Sequence, residues 1–421
     1  MSMITGYLKF DDLDATVALD VDQKFVDALP VVFPHWAHTI VQQDNDNSFA
    51  TVTLTDSKYI ITSPYMDDPA TFKDPANTLC SLIVELAWAR LREDTSLLCL
   101  HGAAIAFAGR LVIFPSTRRA GKSTLTVALA AAGKKVFTDD FLPLKATNGG
   151  LLSGISSGIS PRLRLPLPDQ IGPVALDYIQ NRSMIQNRQY RFVTPRTGEL
   201  AKFGDTAPIG SLVFLERTEG ATAKIEPVSK SDALTALIKQ NFSRAMNAAG
   251  ILKMLDFITK SAPAYRLIYD DAEQAVALLE SRFQGWNQTA PTIPASLDNT
   301  VFESALETEF IPEALDISKG SFIHASGIEE VSSDGKRFLT GHNGKSIHYL
   351  NDGAVNIWRL LEEPTSTTEA IEMLCAVFPD HPAEDIRRDV TATFTEFARN
   401  GLLQKADTIC QTPEIKATLP L

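Results

Sequence analysis

Leu111-Val-Ile-Phe-Pro-Ser-Thr-Arg-Arg-Ala-Gly-Lys-Ser123 is the stretch that decides the predicted fold of this chain. Its apolar start predicts a buried strand that breaks at Pro115, and the Gly-Lys-Ser-Thr run then opens a helix. Such a loop can bind phosphate, because its backbone N–H groups and the helix start point at the anion. Lys122 would reach the β- and γ-phosphates, and the Ser123 hydroxyl would bind Mg²⁺. The predicted nucleotide-binding residues are Ser116, Thr117, Arg118, Arg119, Ala120, Gly121, Lys122, Ser123 and Thr124.

The surrounding sequence supports this interpretation, although one position departs from the usual pattern. Ser116 stands where G-x-x-x-x-G-K-[ST] has its first glycine, and serine meets a positive φ at some cost. A Gly-Lys-Ser-Thr run can also be an ordinary helix start, since Ser and Thr are common near N-caps. Here a small-residue helix ends before Gly133 and a short strand over 134–138 follows. Strand, loop, helix and strand make a βαβ unit, which binds ligands at the carboxyl ends of its strands.

Two neighbouring acids, Asp139 and Asp140, follow the second strand of this unit. At the end of a strand the chain turns, so both side chains can reach the Mg-phosphate region. One carboxylate could hold Mg²⁺ while the other accepts a hydroxyl proton, as phosphoryl transfer requires. The sequence does not say which acid takes which role, and an acidic turn or helix cap is the alternative. Ser123, Asp139 and Asp140 are the predicted metal ligands, and ATP and Mg²⁺ are the predicted cofactors.

Three further polar residues lie near this unit in the chain. His101 ends an apolar strand just before the phosphate-loop strand. It could be a satisfied core histidine, or it could orient a carboxylate or a phosphate oxygen. Arg162 and Arg164 alternate with leucines and so share one face of an extended segment. They could clamp a phosphate or an acidic partner, or they could form a solvated face. The polar residues 185–205 predict a mobile lid over the nucleotide.

Length and composition limit the class of protein. A chain of 421 residues predicts two or three domains. A net charge of −12 argues against general affinity for nucleic acid or anionic membrane. The four cysteines lack C-x-x-C spacing, which fits neither a zinc site nor a disulfide framework, so a reducing cytoplasm is the expected location. The sequence predicts no signal peptide, and no apolar run reaches the roughly 18 residues that span a bilayer.

Changes in pattern along the chain predict its domains. Short alternating runs in the first part predict a small antiparallel sheet, and apolar positions at helical spacing predict an amphipathic helix over 77–94. Near the C-terminus, three strands over 322–350 precede three helices, Asp352–Leu361, Thr367–Phe378 and Ala383–Asn400. The predicted organisation is an N-terminal β-rich portion packed on the core (1–95), a nucleotide-binding domain (96–285), a linker (286–318), a small domain (319–405) and a tail (406–421).

The run from Leu100-His101-Gly102 through the phosphate loop to Val136-Phe-Thr-Asp139-Asp140 resembles the catalytic core of the HPr serine kinase/phosphorylase family. The shared pattern is a His-Gly strand, a phosphate loop and an Asp-Asp pair after the next helix. Pro161-Arg-Leu-Arg-Leu and Ala262-Pro-Ala-Tyr-Arg-Leu also look like segments of HPr-kinase-like proteins found near peptide-modifying enzymes. The resemblance covers about 95–285. It implies nucleotide and Mg²⁺ binding by the phosphate loop, a supporting role for His101, and a base and a metal contact from the acid pair.

Residues 319–405 resemble the PqqD family, whose members act as precursor-peptide recognition elements in ribosomal peptide natural-product pathways. The likeness is carried by Leu350-Asn-Asp-Gly-Ala-Val-Asn-Ile-Trp358-Arg-Leu-Leu and by Phe397-Ala-Arg-Asn-Gly-Leu-Leu403. It implies a domain that binds a leader peptide as an added strand on an exposed sheet edge, against the last helix. The predicted edge residues are Lys345, Ser346, Ile347, His348, Tyr349 and Leu350, and the helix is Ala383–Asn400.

Joined, the two resemblances predict the fold class and a function. The fold class is α/β, with a phosphate-loop HPr-kinase-like core, an N-terminal β-rich portion and a C-terminal small α+β winged-helix-like PqqD domain. The function is that of an ATP-dependent kinase that phosphorylates a Ser or Thr hydroxyl of a ribosomally made precursor peptide, whose leader the C-terminal domain captures. Two alternatives stay open: a nucleotide-dependent peptide-binding scaffold without transferase activity, and an HPr-kinase-like protein kinase acting on a leaderless substrate. The expected partners are a precursor peptide and a nucleotide, with a homo-oligomer left open.

Overall fold

The computed structural model describes eight segments of the chain: 3–42, 48–115, 120–146, 150–182, 184–243, 247–286, 315–341 and 346–406. Five of the predicted site residues lie outside these segments: Ser116, Thr117, Arg118, Arg119 and Lys345. Contacts divide the chain into two compact units. Unit 1 comprises 1–246 and 254–304, and unit 2 comprises 247–253 and 305–421. No helix of the described residues is both long and apolar enough to cross a bilayer.

The N-terminal part of unit 1 is built around one six-stranded sheet. Its elements are β1 (Met3–Phe10), β2 (Thr16–Asp22), α1 (Gln23–Val32), β3 (His38–Val41), β4 (Ser48–Thr55), β5 (Lys58–Thr62), β6 (Ala70–Phe72) and α2 (Pro75–Glu93). The strand order is β3-β1-β2-β4-β5-β6. The predicted antiparallel sheet is wrong at one pair, because β2 and β4 run parallel. The chain between them contains α1 and β3, which is long enough for a crossover connection.

Helix α2 closes one side of this N-terminal sheet. It begins two residues earlier than predicted because Asp74 caps it, accepting a hydrogen bond from Asn77 N at 2.9 Å, and Pro75 occupies the first turn. The buried face of the helix includes Leu79 and Leu86, which join a core with Phe10 and other side chains of the sheet. Burial of this apolar stripe, more than helix propensity, therefore holds α2 in place.

The rest of unit 1 contains the phosphate-loop core, which spans residues 98 to 282 of the described chain. Its elements, with α6 crossing the boundary between the units, are β7 (Leu98–His101), β8 (Ala103–Phe107), β9 (Arg110–Phe114), α3 (Lys122–Ala131), β10 (Lys135–Thr138), β11 (Phe141–Ala146), β12 (Leu152–Ile155), β13 (Arg162–Arg164), a 3-10 turn (Asp169–Ile171), α4 (Pro173–Gln180), β14 (Met184–Gln186), β15 (Tyr190–Val193), β16 (Thr206–Arg217), β17 (Lys224–Pro227), α5 (Lys230–Gln240), α6 (Ala248–Ser261), β18 (Ala264–Tyr269) and α7 (Ala272–Arg282).

A nine-stranded sheet organises this core. Its main path is β10-β8-β9-β16-β12-β11-β7, and β18 joins β16 and carries β17. Strands β9 and β10 of the predicted βαβ unit run in the same direction, since each is antiparallel to β8, but β8 lies between them. Strand β8 pairs with β9 through a tight hairpin. Ala108 and Gly109 in its turn both have positive φ, 45° and 82°, as a type I′ turn requires. The predicted phosphate loop thus follows a central strand whose residues 111–114 are buried.

Residues 185–205 do not form the predicted mobile lid. Strands β14 and β15 pair with β13 in a three-stranded sheet. Beyond them, Val136 N donates to Glu199 O at 2.7 Å and Ala201 N donates to Val136 O at 2.8 Å, which pins the segment to β10. Two of the cationic side chains that suggested a loop are paired locally. Arg191 Nε donates to Gln186 Oε1 at 2.7 Å, and Arg196 lies 3.8 Å from the carboxylate of Glu199.

Unit 2 has the small α+β architecture predicted for it. Its described elements beyond residue 315 are β19 (Phe322–His324), β20 (Glu330–Ser333), β21 (Lys336–Thr340), β22 (Ile347–Leu350), α8 (Asp352–Leu360), α9 (Thr367–Val377), α10 (Ala383–Arg399) and β23 (Leu403–Lys405). Strands β20, β21 and β22 form an antiparallel sheet, and β19 pairs with β23. The predicted first strand is therefore two strands, β19 and β20. Trp358 and Phe394 lie fully buried between the helices and the strands.

Candidate functional site

The start of helix α3 requires glycine at position 121. Gly121 has φ 95°, and its carbonyl accepts a hydrogen bond from Leu125 N at 2.9 Å, which opens the helix. This left-handed conformation favours glycine. A Cβ atom at this position would also lie 2.5 Å from the hydroxyl oxygen of Tyr269, at the end of β18. Tyr269 therefore lies directly against the predicted nucleotide site, a neighbour that the sequence analysis did not identify.

The structure brings Ser123 and Asp139 together. Ser123 lies in the first turn of α3, and its side chain is hydrogen-bonded to the carboxylate of Asp139, just beyond β10. Asp139 is buried, and its Oδ2 also accepts a hydrogen bond from the backbone N of Arg162 at 2.9 Å. Burial has the largest effect on Asp139 and, together with the negative charge of Asp140, raises its pKa to about 6. The two hydrogen bonds lower the pKa but do not outweigh these effects.

Asp140 has two side-chain partners, His101 and Arg162. Its Oδ1 lies 3.0 Å from His101 Nε2, and its Oδ2 accepts a hydrogen bond from Arg162 Nη2 at 3.1 Å. Burial raises the pKa of Asp140, but the His101 hydrogen bond and the charge of Arg162 outweigh burial. The charge of Lys122 acts in the same direction, and the pKa lies below its usual range. Two carboxylates adjacent in the chain are thus shifted in opposite directions, a pattern common at acid–base sites.

Strand register explains why His101 reaches Asp140. In the antiparallel pair of β7 and β11, His101 lies opposite Phe141, and Gly102 N donates to Asp140 O at 2.7 Å. The imidazole is held from its other side, because His101 Nδ1 lies 3.1 Å from Gln240 Oε1 at the end of α5. Gln240 therefore fixes the orientation of the ring. No local motif marks this glutamine, and the sequence analysis missed it.

Arg162 and Arg164 occupy different positions relative to the acids. Both guanidinium groups lie near the ring of Tyr190, at 5.1 and 5.5 Å from its centroid. Arg162 is bonded to Asp140, whereas Arg164 is exposed and donates to the Tyr190 hydroxyl at 3.4 Å. The structure therefore brings Arg162 into the acid cluster and leaves Arg164 outside it. Contact of either residue with a phosphate or a substrate stays a prediction.

The oxygen atoms at this site suit magnesium. Mg²⁺ prefers oxygen ligands and usually combines one or two protein groups with waters and substrate phosphates. Ser123 and Asp139 offer a hydroxyl and a carboxylate side by side. Asp140 is bonded to His101 and Arg162, whereas Asp139 is bonded to Ser123, so Asp139 is the carboxylate that could bind a metal ion together with the Ser123 hydroxyl. Within the described segments, no group of three or more His, Cys, Asp or Glu residues could hold a metal ion by itself.

The predicted peptide-binding edge lies in unit 2. Among the described strands, β22 pairs with β21 alone, so its other side is an edge of the sheet. Tyr349 on this strand is 50% exposed, and Ser346 Oγ lies 2.8 Å from His348 Nε2. Burial lowers the pKa of His348, opposed by the charge of Glu396 on α10. Glu396 of helix α10 thus acts on a side chain of strand β22, and peptide binding at this edge stays a prediction.

The comparisons with known proteins bear mainly on unit 2. The family model described as "Coenzyme PQQ synthesis protein D (PqqD)" matches residues 338–403, so the predicted PqqD domain is confirmed. Among curated proteins, none matches the chain. Among solved structures, the chain is similar to the Hpr(Ser) kinase/phosphatase from Coxiella burnetii, with 12% identity and a TM-score of 0.22, over 44% of this chain and 91% of that chain. Because the TM-score and the identity are this low, the similarity says nothing about the activity of this chain.

Proposed function

We propose that the protein is an ATP-dependent kinase that phosphorylates a Ser or Thr hydroxyl of a ribosomally made precursor peptide whose leader binds unit 2. One observation carries the proposal: the first turn of α3, with Lys122 and Ser123, meets two carboxylates whose pKa values are shifted in opposite directions. The active site of an ATP-dependent kinase needs a cationic side chain and the N-terminus of a helix to bind the phosphates. It also needs an oxygen ligand for the metal ion and an ionised group that accepts the hydroxyl proton.

The two acids divide the work according to their contacts. Ser123 and Asp139 would hold Mg²⁺, since they already share a hydrogen bond. When bound, the metal ion neutralises charge that develops on the phosphate oxygens. Lys122 and the N–H groups at the start of α3 would hold the β- and γ-phosphates.

Asp140 would orient the acceptor and take its proton. The acceptor oxygen forms a bond to the γ-phosphorus, the bond from that phosphorus to the β–γ bridging oxygen breaks, ADP leaves, and the hydroxyl proton passes to the Asp140 carboxylate. His101 and Arg162 keep this carboxylate ionised and fixed. Because the transition state of phosphoryl transfer is loose, correct placement of the hydroxyl contributes more than the strength of the base.

Unit 2 would supply the substrate. A leader peptide added to the free side of β22 gains main-chain hydrogen bonds, and Tyr349 and His348 offer side-chain contacts that give selectivity. Tethering through the leader raises the local concentration of the acceptor to the millimolar range, so the acid site can bind the acceptor itself weakly.

The test uses the full chain with Mg-ATP and the short peptides encoded beside it, each made with and without its leader. Mass spectrometry should find the gain of one phosphoryl group on a leader-bearing peptide, and Lys122→Met should abolish the gain without weakening peptide binding. Binding without transfer would overturn the kinase and favour the scaffold. Equal transfer to the leaderless form would overturn leader capture.

A further inference from the structure

A cavity lies beside the acid pair, and neither Lys122 nor Ser123 of the proposed nucleotide site is among its lining residues. Its volume is about 60 Å³, and its wall includes both Asp139 and Asp140. Most of the remaining wall is apolar and comes from three separate parts of unit 1: Trp36 near the N-terminal sheet, Leu86 of α2 and Phe192 of β15. The largely apolar cavity therefore lies next to Asp140, which would handle the acceptor, and next to Asp139, the proposed metal ligand.

The polar side chains in this wall are already bonded to other parts of the protein. Ser156 Oγ donates to Phe137 O at 3.0 Å, and Ser160 Oγ donates to Val31 O at 2.6 Å. Arg162 is held by Asp140. These groups offer little to a polar ligand, because their hydrogen bonds would have to be broken first. An apolar group can occupy the cavity without breaking any of these hydrogen bonds.

The size of the cavity limits the occupant. An engineered apolar cavity of roughly 150 Å³ accepts benzene, so a cavity of less than half that volume takes an isopropyl or isobutyl group and excludes a six-membered ring. Protein interiors seldom contain voids larger than a water molecule. A cavity of this size beside the acids therefore has the character of a binding pocket for part of a substrate.

On these grounds, and resting on the proposed kinase function, we infer that the cavity is a specificity pocket for a branched aliphatic side chain within two residues of the acceptor hydroxyl. Asp139 and Asp140 both line the cavity, so a hydroxyl bound at Asp140 would place the neighbouring residues of the peptide near the mouth of the cavity. Filling the pocket would exclude water from the acids and fix the hydroxyl. The acceptor sequence would then contain Val, Leu or Ile beside its Ser or Thr.

Binding is tested apart from transfer, with short blocked peptides as probes. Ac-Leu-Ser-NH₂, Ac-Gly-Ser-NH₂ and Ac-Phe-Ser-NH₂ are titrated into the full chain with ¹³C-labelled methyl groups. The leucine probe should shift the methyl signals of Leu86, Ile155 and Ile159, which all line the cavity. The glycine and phenylalanine probes should leave these signals unchanged. Equal shifts with the glycine probe, or shifts only with the phenylalanine probe, would overturn the inference.

Three variants locate the pocket. Ala87 is a partly exposed residue of α2 in the cavity wall. Ala87→Phe should therefore fill the cavity and abolish the methyl shifts that the leucine probe causes. Val84→Phe is the matched control, since Val84 is also partly exposed on α2 but lies outside the cavity wall. Ile159→Ala should enlarge the cavity and admit the phenylalanine probe. If the Ala87→Phe variant keeps the wild-type methyl spectrum and still binds the leucine probe, the inference is overturned.

Turnover on the precursor peptide separates this inference from the proposed function. Replacing the aliphatic neighbour of the acceptor by Gly should lower kcat/KM by about 10- to 100-fold, the usual effect of an unfilled hydrophobic pocket. Probe binding without any transfer would overturn the kinase and leave the pocket intact. Transfer with no preference for the aliphatic neighbour would overturn the pocket and leave the kinase intact.

Discussion

The acid cluster of unit 1 and the strand edge of unit 2 illustrate two different ways to prepare a binding surface. In the acid cluster, each functional atom has a specific partner, such as His101 and Arg162 on the two oxygens of Asp140. At the edge, the proposed binding groups are the backbone of β22 and the exposed ring of Tyr349. The first surface depends on charge and should respond to single-atom changes. The second depends on backbone and shape and should respond to the loss of contact area.

The largest expected effect comes from removing one charge in the acid cluster. Asp140→Asn keeps the shape of the side chain but cannot accept the hydroxyl proton or neutralise its cationic neighbours. Transfer should fall by about 100- to 10,000-fold, the range typical of a lost general base, while leader binding stays unchanged. Steady-state transfer and a peptide titration measure the two effects.

The control for this change is Asp68→Asn, which removes an exposed carboxylate elsewhere in unit 1. It should leave transfer unchanged. A loss of less than tenfold in Asp140→Asn would contradict the role assigned to this residue. A parallel loss of leader binding would show that the two surfaces are not independent.

The next effect is on stability and depends on pH. The pKa of Asp139 is about 6 in the folded protein, compared with 3.8 for an ordinary aspartate. Because folding favours the protonated form, the native state loses stability as pH rises from about 4 to about 6, by on the order of 3 kcal/mol in total. Asp139→Asn removes this cost. Without Mg²⁺, its melting temperature should exceed that of the wild type at pH 8 and approach it at pH 4, as measured by calorimetry of the unit 1 transition.

A difference in melting temperature that is the same at pH 4 and pH 8 would show that Asp139 does not titrate in this range. Mg²⁺ sharpens the test, since a cation held by Ser123 and Asp139 should stabilise the wild type at pH 8 more than the variant. Asp68→Asn, with its exposed carboxylate, should show neither effect.

A smaller effect is expected from the edge of unit 2. Tyr349→Ala removes an exposed aromatic side chain from β22 and should weaken leader binding by about 30-fold, as for a typical aromatic interface residue. At saturating peptide the transfer rate should not change, because the acid cluster is untouched. Val377→Ala is the matched control: it removes an apolar side chain that is 66% exposed but lies on α9 and not on β22. A fall in the saturated rate of Tyr349→Ala would contradict the separation of the two surfaces.

The sequence predicts those parts of both surfaces that depend on short stretches. The helix start at Gly121, the acid pair and the edge strand each follow from residues that are close together in the chain, so their local pattern is enough. The lid predicted over 185–205 is wrong because the polar residues there are satisfied by strand pairing and by contacts with β10, which local composition does not reveal. Gln240 meets His101 across 139 positions of the chain, and Tyr269 approaches Gly121 from the end of β18. These contacts arise from the strand order of the sheet, which no short motif encodes.

The smallest expected effect separates backbone strain from side-chain contact at the phosphate loop. Gly121→Ala carries a left-handed backbone cost of about 1–2 kcal/mol and adds a clash with the Tyr269 hydroxyl, so Mg-ATP binding should weaken by about tenfold or more. Adding Tyr269→Phe removes the clashing oxygen and should restore part of the affinity, which calorimetric titration of the double-mutant cycle measures.

Gly335 in the hairpin between β20 and β21 provides the matched control in the other unit. Its φ is 81°, close to the 95° of Gly121, but a Cβ atom there would meet nothing within 4 Å. Gly335→Ala should therefore show the backbone cost alone, as a lower melting temperature with unchanged Mg-ATP affinity. If Tyr269→Phe restores no Mg-ATP affinity to the Gly121→Ala variant, the clash with the tyrosine hydroxyl does not cause the loss of affinity. The cost of Gly121→Ala would then come from backbone conformation alone, as at Gly335.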